Sequence, residues 1–185
     1  IPQDDGFLIT AKVKGKAREI KRAKVEFMAK VLCNGTDDKF ETDRFNTNDQ
    51  LYLSFRSPTD GYCLVYLIDE SQKAYCLLPY RQQTTGNFPV KANRRYVLFS
   101  PKDADRSIAS LVDEYILNSQ ESKEYNQLYI IFSPNPLTKT IDRSTTELMP
   151  RETTVENFRK WLARCRRNDL DMAVEVKNIV IKGQP

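Results

Sequence analysis

The sequence predicts a mostly β fold: a β-sandwich, immunoglobulin-like in broad architecture, with two α-helices packed on it. Short apolar segments with a period of two recur along the chain, which is typical of strands. One stretch, Gly61–Tyr80 (GYCLVYLIDESQKAYCLLPY), contains segments that are apolar on both faces, as expected for the centre of a sheet. Two other segments change to the 3.6-residue period of an amphipathic helix.

The strands are predicted from alternating or uniformly apolar character. Gln50–Arg56 is the clearest, because Leu51, Leu53 and Phe55 share one face. The predicted strands are Phe7–Val13, Val25–Leu32, Gln50–Arg56, Tyr62–Ile68, Ala74–Leu78, Tyr96–Phe99, Leu128–Phe132 and Ala173–Ile181.

Two of these strands form a predicted central hairpin. Tyr62–Ile68 leads through the polar turn Asp69–Lys73 to Ala74–Leu78, and Pro79 ends the returning strand. A strand that is covered on both sides is apolar on both sides. The hydrophobicity of this stretch therefore needs no ligand to explain it.

Two helices are predicted. Arg106–Asn118 has apolar residues at helical spacing, namely Ile108, Leu111, Val112, Tyr115 and Ile116. The second helix, Phe158–Asp169, follows Thr153 and Glu156, which have the spacing of a capping box. Its apolar stripe comprises Val155, Phe158, Leu162 and Cys165, with Trp161 beside it.

Length and composition indicate one globular domain. The chain has 185 residues, 40% of them hydrophobic and 29% charged, with a net charge of +4. We expect a single domain over residues 1–185, with residues 1–24 as an N-terminal arm. No apolar run reaches the roughly 18 residues of a membrane span. Because the chain opens with Ile1-Pro2 and has no initiator Met, we expect it to be a processed or excised part of a larger polypeptide.

The chain contains no histidine, which excludes Ser-His-Asp and Cys-His nucleophiles and His-ligated zinc or haem. Its four cysteines form no CxxC pair. They are predicted to be buried free thiols, although the even count also permits two disulfides of undetermined pairing. These cysteines are Cys33, Cys63, Cys76 and Cys165. We predict no catalytic residue, no cofactor and no metal.

Tyrosines in or beside the strands are the first candidates for contact with a partner. An exposed row of tyrosines on a sheet can stack sugar rings or anchor a protein, although core packing is the more common role. The tyrosines in or beside strands are Tyr52, Tyr62, Tyr66, Tyr75, Tyr80, Tyr96 and Tyr129, and of these the candidates for partner contact are Tyr52, Tyr62, Tyr66, Tyr75 and Tyr80. The long polar loops 80–94 and 134–151 are the second candidates, because loops commonly carry binding residues.

The segment Lys12–Lys24 is a basic candidate site. It contains seven cations and only one acid, so it could bind a polyanion in a salt-dependent way. A solvated segment that is balanced by nearby acids is the alternative. The absence of aromatic residues within it argues against nucleic acid. The candidate residues are Lys14, Lys16, Arg18, Lys21 and Arg22.

Two acidic pairs have the spacing found in calcium loops but lack the remaining ligands of an EF-hand. Turn and capping roles are therefore predicted for Asp103 with Asp105 and for Asp169 with Asp171. The second helix also carries a row of cations, which is either a solvated face or a docking surface for an acidic partner. This row comprises Arg159, Lys160, Arg164, Arg166 and Arg167.

The order of the central motifs is similar to that of a known family. GYCLVYLID leads through a polar turn to CLLPY, and then a YVLF strand and LYIIFSPNP follow. This order resembles the bacterial domain of unknown function 4384, mainly over residues 45–137. The FRKWLARCRRND helix with its trailing strand resembles the C-terminal part of Bacteroides-type members. The resemblance implies an accessory β-sandwich domain, often associated with the cell envelope, and it assigns no catalytic residue.

The sequence and the resemblance together predict a non-enzymatic interaction domain of a bacterial envelope or secreted protein. We expect a protein or a glycan as its partner, a periplasmic or cell-surface location, and neither a membrane span in this chain nor a nucleic-acid ligand. Two alternatives stay open, namely a carboxylate- or cysteine-based hydrolase and a polyanion binder that uses Lys12–Lys24.

Overall fold

The computed structural model describes residues 7–13, 16–21, 26–83, 87–137 and 151–184. These residues contain thirteen β-strands and one α-helix. The strands are β1 (Phe7–Val13), β2 (Lys16–Lys21), β3 (Met28–Cys33), β4 (Arg44–Asn46), β5 (Asp49–Arg56), β6 (Gly61–Ile68), β7 (Lys73–Leu78), β8 (Phe88–Val90), β9 (Tyr96–Leu98), β10 (Tyr115–Leu117), β11 (Lys123–Ser133), β12 (Glu152–Thr154) and β13 (Ala173–Lys182). The helix is α1 (Val155–Asn168).

The described strands form two large sheets and one small one. In the first large sheet, β5 pairs with β3 on one side and with β9 and β10 on the other. The second runs in the order β12-β7-β6-β11-β13-β4, with β8 paired to the start of β6. The strands β1 and β2 pair only with each other. The prediction of a mostly β fold is confirmed.

The two large sheets share one hydrophobic cluster, here called the inter-sheet core. It contains Leu53 and Phe55 from β5 together with Val65, Ile130 and Phe132 from the larger sheet, and all five are fully buried. A second cluster, the helix-side core, joins the larger sheet to α1. The larger sheet is therefore covered on both faces, which requires its central strands to be apolar on both sides.

The strand β6 contributes to both cores. Cys63 and Val65 belong to the inter-sheet core, whereas Leu64 and Tyr66 belong to the helix-side core. This alternation confirms that the apolar stretch beginning at Gly61 is the centre of a sheet. A Cβ at Gly61 would clash with the carbonyl oxygen of Ser133, so β6 can begin this close to β11 only at a glycine.

The helix α1 confirms the second predicted helix and moves its cap by one residue. Thr154, not Thr153, is the N-cap, and its hydroxyl accepts the backbone N–H of Asn157 at 3.2 Å. Thr153 instead lies in β12, opposite Ala74 of β7. The buried residues of α1 match the predicted stripe and include Trp161: Val155, Phe158, Trp161, Leu162 and Cys165.

The prediction of a helix over Arg106–Asn118 is wrong, and the described chain has one α-helix rather than two. This segment forms a 3-10 turn at Ala109–Leu111 and then the strand β10, which pairs with β5. The buried carboxylate of Asp113 accepts the backbone N–H of Arg81 at 2.8 Å, and the Tyr115 hydroxyl donates to the carbonyl of Leu77 at 3.2 Å. These long-range bonds outweigh the weak preference that local periodicity gives for a helix.

Five strands have no counterpart among the predicted ones. Four of them contain only three residues, and such segments are too short to show a period. These strands are β2, β4, β8, β10 and β12. The predicted N-terminal arm is described only at β1 and β2, since residues 1–6, 14–15 and 22–25 lie outside the described residues. Among the described helices, none has both the length and the apolar character needed to cross a bilayer.

Candidate functional site

Two of the five candidate tyrosines are core residues, so the prediction that they contact a partner is wrong. Tyr66 is fully buried, with its ring centre 4.7 Å from that of Phe158 in α1. Tyr80 is 2% exposed, and its hydroxyl oxygen accepts the backbone N–H of Phe99 at 3.0 Å. Burial raises the pKa of Tyr80 to about 12. Both residues serve packing, because α1 and the 88–99 region cover them.

The other three candidate tyrosines are half-buried and lie in different layers of the fold. Tyr75 packs on the inter-sheet core and Tyr62 on the helix-side core, whereas Tyr52 belongs to neither cluster. Burial, with smaller contributions from Glu114 and Asp103, raises the pKa of Tyr52. The five tyrosines therefore do not form the exposed aromatic row that the sequence suggested.

Three of the five basic candidates fall within a described strand. Lys14 and Arg22 are outside the described residues. Lys16, Arg18 and Lys21 belong to β2, where they pair with Val13, Thr10 and Phe7 of β1 respectively. Their part in binding a polyanion stays a prediction.

A cleft of 270 Å³ opens beside β8 and β9 and is here called the Tyr96 cleft. Its floor is apolar, since Phe88 and Leu98 are buried beneath it. Tyr96 forms one wall and meets Phe88 edge to face, with ring centres 6.1 Å apart. Asp105 and Ser107, from the segment that follows β9, line it as well. The cleft thus combines an aromatic wall with polar groups.

The polar side of the Tyr96 cleft is held in place by Arg94. Its guanidinium lies 4.9 Å from the centre of the Tyr96 ring and donates to the Asp105 carboxylate at 2.5 Å. The hydrogen bond to Asp105 is the largest cause of a raised pKa at Arg94. The Tyr96 hydroxyl accepts the backbone N–H of Lys91 at 2.8 Å, which fixes the ring from its other end. These contacts fix the Tyr96 ring and the Asp105 carboxylate relative to each other.

Arg95 connects the Tyr96 cleft to the segment that follows β3. It donates to the Thr36 carbonyl at 2.7 Å and to the Asp38 carboxylate at 2.9 Å. Hydrogen bonds from Arg95 and then from Lys30 lower the pKa of Asp38.

Loop 80–94, one of the two loops that the sequence indicated, supplies part of this cleft through Lys91 and Arg94. Loop 134–151 is described only at residues 134–137 and 151.

The four cysteines are free thiols, and three of them are buried, in agreement with the sequence prediction. Burial raises the pKa of Cys63 and of Cys76. Cys33 is half-buried, and burial, aided by the hydrogen bond to Asp49 and the charge of Asp49, raises its pKa to about 12. Because the thiolate is the reactive form, these three thiols are poor nucleophiles near neutral pH.

One residue of each acidic pair has the predicted turn role: the Asp103 carboxylate accepts the hydroxyl of Ser100, and the Asp169 carboxylate accepts the backbone N–H of Asp171 at 3.1 Å. Asp105 instead accepts the guanidinium of Arg94. Within the described ranges, no three acidic or cysteine side chains are grouped closely enough to hold a metal ion.

Sequence reasoning counted Tyr96 among the strand tyrosines and Asp105 in an acidic pair, but it did not place them with Arg94 in one site. The available signal was a pair of arginines directly before a tyrosine at the start of a strand. It could not indicate the cleft, because Asp105 and Ser107 come from a segment that was predicted to lie partly in a helix.

Comparison of the chain with models of protein families, with curated proteins and with solved structures found no match. The resemblance to the bacterial domain of unknown function 4384 therefore stays a prediction.

Proposed function

We propose that this chain is a β-sandwich binding domain without catalytic activity, belonging to a bacterial envelope or secreted protein, and that it holds its partner in the Tyr96 cleft. The sandwich architecture is supported by the core that the two large sheets share. The immunoglobulin-like comparison stays a prediction, as do the bacterial origin and the periplasmic or cell-surface location.

One observation carries the proposal: the Tyr96 cleft has an apolar floor, an aromatic wall and a fixed ion pair at its rim. Ligand sites are usually preformed concavities of this composition. A volume of 270 Å³ is close to the lower end of the roughly 300–1,000 Å³ that is common for small-molecule sites. The cleft therefore suits one sugar ring or one large side chain rather than a bulky cofactor.

Among the two predicted classes of partner, a glycan agrees better with this chemistry. Aromatic rings offer a flat apolar surface to the C–H face of a sugar, and Tyr96 is an aromatic residue that lines this cleft. The carboxylate of Asp105 and the hydroxyl of Ser107, which also line the cleft, offer hydrogen bonds to sugar hydroxyls. A protein segment that inserts one side chain is the other outcome of the test below.

The hydrolase alternative has less support. A hydrolase needs converging titratable groups whose pKa values are shifted towards the working pH. In the Tyr96 cleft, Asp105 is held by Arg94 and Asp103 by Ser100. The polyanion alternative depends on Lys12–Lys24 and stays untested.

The proposal can be tested by filling the cleft. The variant S107W places an indole at the cleft wall, whereas S110W places one on an exposed residue of the same segment that does not line the cleft. Binding to a glycan array and to peptide libraries would be measured first, and then affinities for the best ligand by calorimetry. We expect S107W to weaken binding at least about tenfold, as expected when a site loses its contacts, and S110W to leave it unchanged. If no glycan or peptide binds, or if S107W binds as well as wild type, the proposal is wrong.

A further inference from the structure

The strand β13 is paired along the whole of one edge but along only a part of the other. On one side β11 pairs with it continuously, from Ala173 to Lys182. On the other side β4 pairs with it only at Val180–Lys182. Between Ala173 and Ile179, no strand in the described part of the chain lies on that second side.

Along the open part of this edge, the outward backbone groups are not paired with any strand of the described residues. The N–H of Val180 donates to the carbonyl of Asp43 at 2.8 Å, so the backbone of Val180 points away from β11. Alternate residues of an antiparallel strand point the same way. The amides and carbonyls of Val174, Val176 and Asn178 therefore point to the open edge, where they can pair with another strand.

The open stretch runs from Ala173, where β13 begins, to Ile179, and Val176 is its central residue. From Val180 onwards, the same edge is paired with β4. If a second copy of the stretch lies antiparallel to the first about a two-fold axis at Val176, the two Val176 residues face each other. Val174 then lies opposite Asn178 of the second copy, so all the outward groups pair. Val176 is 40% exposed in the single chain and would gain apolar contact.

The charges on either side of Val176 favour this register. Glu175 would lie opposite Lys177 of the second copy, and Lys177 opposite Glu175. A slip of two residues in either direction would instead place Glu175 opposite Glu175 or Lys177 opposite Lys177. Opposite charges stabilise a cross-strand pair and like charges destabilise it. Within one chain the two side chains already form an ion pair at 2.7 Å, and charged side chains on an edge strand discourage pairing with unrelated apolar strands.

A concavity lies beside one end of the same edge. A concavity of 390 Å³ is lined by Thr42, Lys177 and Ile179, among others. In the symmetrical register, Ala173 and Glu175 of the second copy would lie opposite Ile179 and Lys177, at this concavity. Its rim also carries Glu41, which lies 3.9 Å from the ammonium of Lys30.

We propose that two copies of this chain associate through β13, antiparallel, about a two-fold axis at Val176. The larger sheet of one copy and the larger sheet of the other then form one continuous sheet across the dimer. This proposal does not depend on the ligand of the Tyr96 cleft.

Charge reversal tests the register. Sedimentation equilibrium would be measured for the full chain over micromolar to millimolar concentrations, with circular dichroism to verify folding. Wild type is expected to dimerise. The variants E175K and K177E each place like charges opposite each other twice per dimer, so each should raise the dissociation constant at least about tenfold. The double variant E175K/K177E restores opposite charges and should restore the dimer. The matched control is E152K, which reverses a charge on β12 at the far edge of the same sheet and should dimerise as wild type does.

Cysteine cross-linking tests the position of the axis. Paired residues that exchange both hydrogen bonds have Cα atoms about 5.5 Å apart, which a disulfide can bridge. The variant V176C should therefore form a disulfide-linked dimer on mild oxidation. The variant N178C should stay at the wild-type background, because its two cysteines would lie roughly 13 Å apart along the strands. A monomeric wild type, a dimer unaffected by E175K, or equal cross-linking of V176C and N178C would overturn the proposal.

Discussion

Asp113 accepts both the backbone N–H of Arg81, at 2.8 Å, and the Arg81 side-chain Nε–H, at 3.1 Å. The Asp113 side chain is 9% exposed whereas that of Arg81 is 77% exposed, so the two partners are unequal. The bond joins the residues after β7 to those before β10. It is one reason why the segment around Asp113 is not helical.

Because Asp113 is buried and Arg81 is exposed, removing Asp113 should lower the free energy of unfolding more than removing Arg81. The variant D113A leaves the Arg81 backbone amide without its acceptor and should lower the free energy of unfolding by about 1–3 kcal/mol. The variant R81A keeps the backbone bond and loses the ion pair and side-chain hydrogen bond of an exposed residue, which water can replace, so it should cost less than about 1 kcal/mol. Urea denaturation of both variants measures this difference. An equal or larger loss in R81A would contradict it.

The contact of α1 with the larger sheet depends on Phe158. Its ring lies 4.7 Å from Tyr66 and 5.2 Å from Tyr129, and Phe158 is fully buried. We expect F158A to lower the free energy of unfolding by about 3–5 kcal/mol, because it leaves a cavity. The neighbouring exposed variant R159A should stay within about 0.5 kcal/mol of wild type. Thermal and urea denaturation would test this, and a loss of similar size in R159A would refute the assignment.

The position of the cap of α1 can be tested by a pair of threonine variants. Because the Thr154 hydroxyl accepts the Asn157 backbone N–H, T154A should destabilise the protein by about 1 kcal/mol. Thr153 lies in β12 and makes no such bond to the helix, so T153A should cost less. Helix stability would be read from urea denaturation followed by far-UV circular dichroism. The reverse order would support the capping box that the sequence suggested.

The thiol of Cys33 should react slowly although it is only half-buried. Its Sγ donates to the Asp49 carboxylate at 3.3 Å, and burial together with Asp49 raises its pKa to about 12. The variant D49N removes the negative charge, so the pKa of Cys33 should fall and more thiolate should be present at pH 8. Alkylation by iodoacetamide, located by mass spectrometry, should be several-fold faster in D49N. An unchanged rate, with an unchanged circular dichroism spectrum, would show that Asp49 has no influence on the thiol.

Asp38 should contribute to stability in a pH-dependent manner. Arg95 and Lys30 lower its pKa in the folded state below the unfolded value of about 3.9. The contribution is therefore fully present above that unfolded value and is lost as the pH falls through the folded pKa. The variant D38N should lose stability at pH 7 and should show a smaller decrease between pH 5 and pH 2 than wild type. Urea denaturation across this range measures the effect, which would be absent if both proteins lost stability in parallel.

The sequence allowed the longer elements to be predicted because their patterns are local. The segment 61–68 is long enough to show that both of its faces are apolar, and α1 is long enough to show its stripe. The burial of Cys63 and of Cys76 followed from the same reasoning, since each lies within a strand of this kind. In such elements, apolar residues recur along the sequence at the same spacing at which the strand or helix places side chains on one face.

The candidate site could be predicted only in part. Loop 80–94 was identified from its length and polarity, but the Tyr96 cleft also needs Asp105 and Ser107, which belong to a different segment. The tyrosines could not be ranked from sequence, because a strand tyrosine is buried or exposed according to what covers its face. Tyr66 is covered by α1, whereas Tyr52 lies on a face that belongs to neither core.

The amino-acid sequence by itself determined that this chain is mostly β, with apolar central strands and a final amphipathic helix, because period and run length are properties of neighbouring residues. Only the tertiary structure decided that 115–117 is a strand, that Arg94 and Asp105 meet at the Tyr96 cleft, and that β13 has an open edge. Each of these features depends on a partner that is distant in sequence, and the hydrogen bonds and burial which that partner supplies outweigh the small local preferences of the chain.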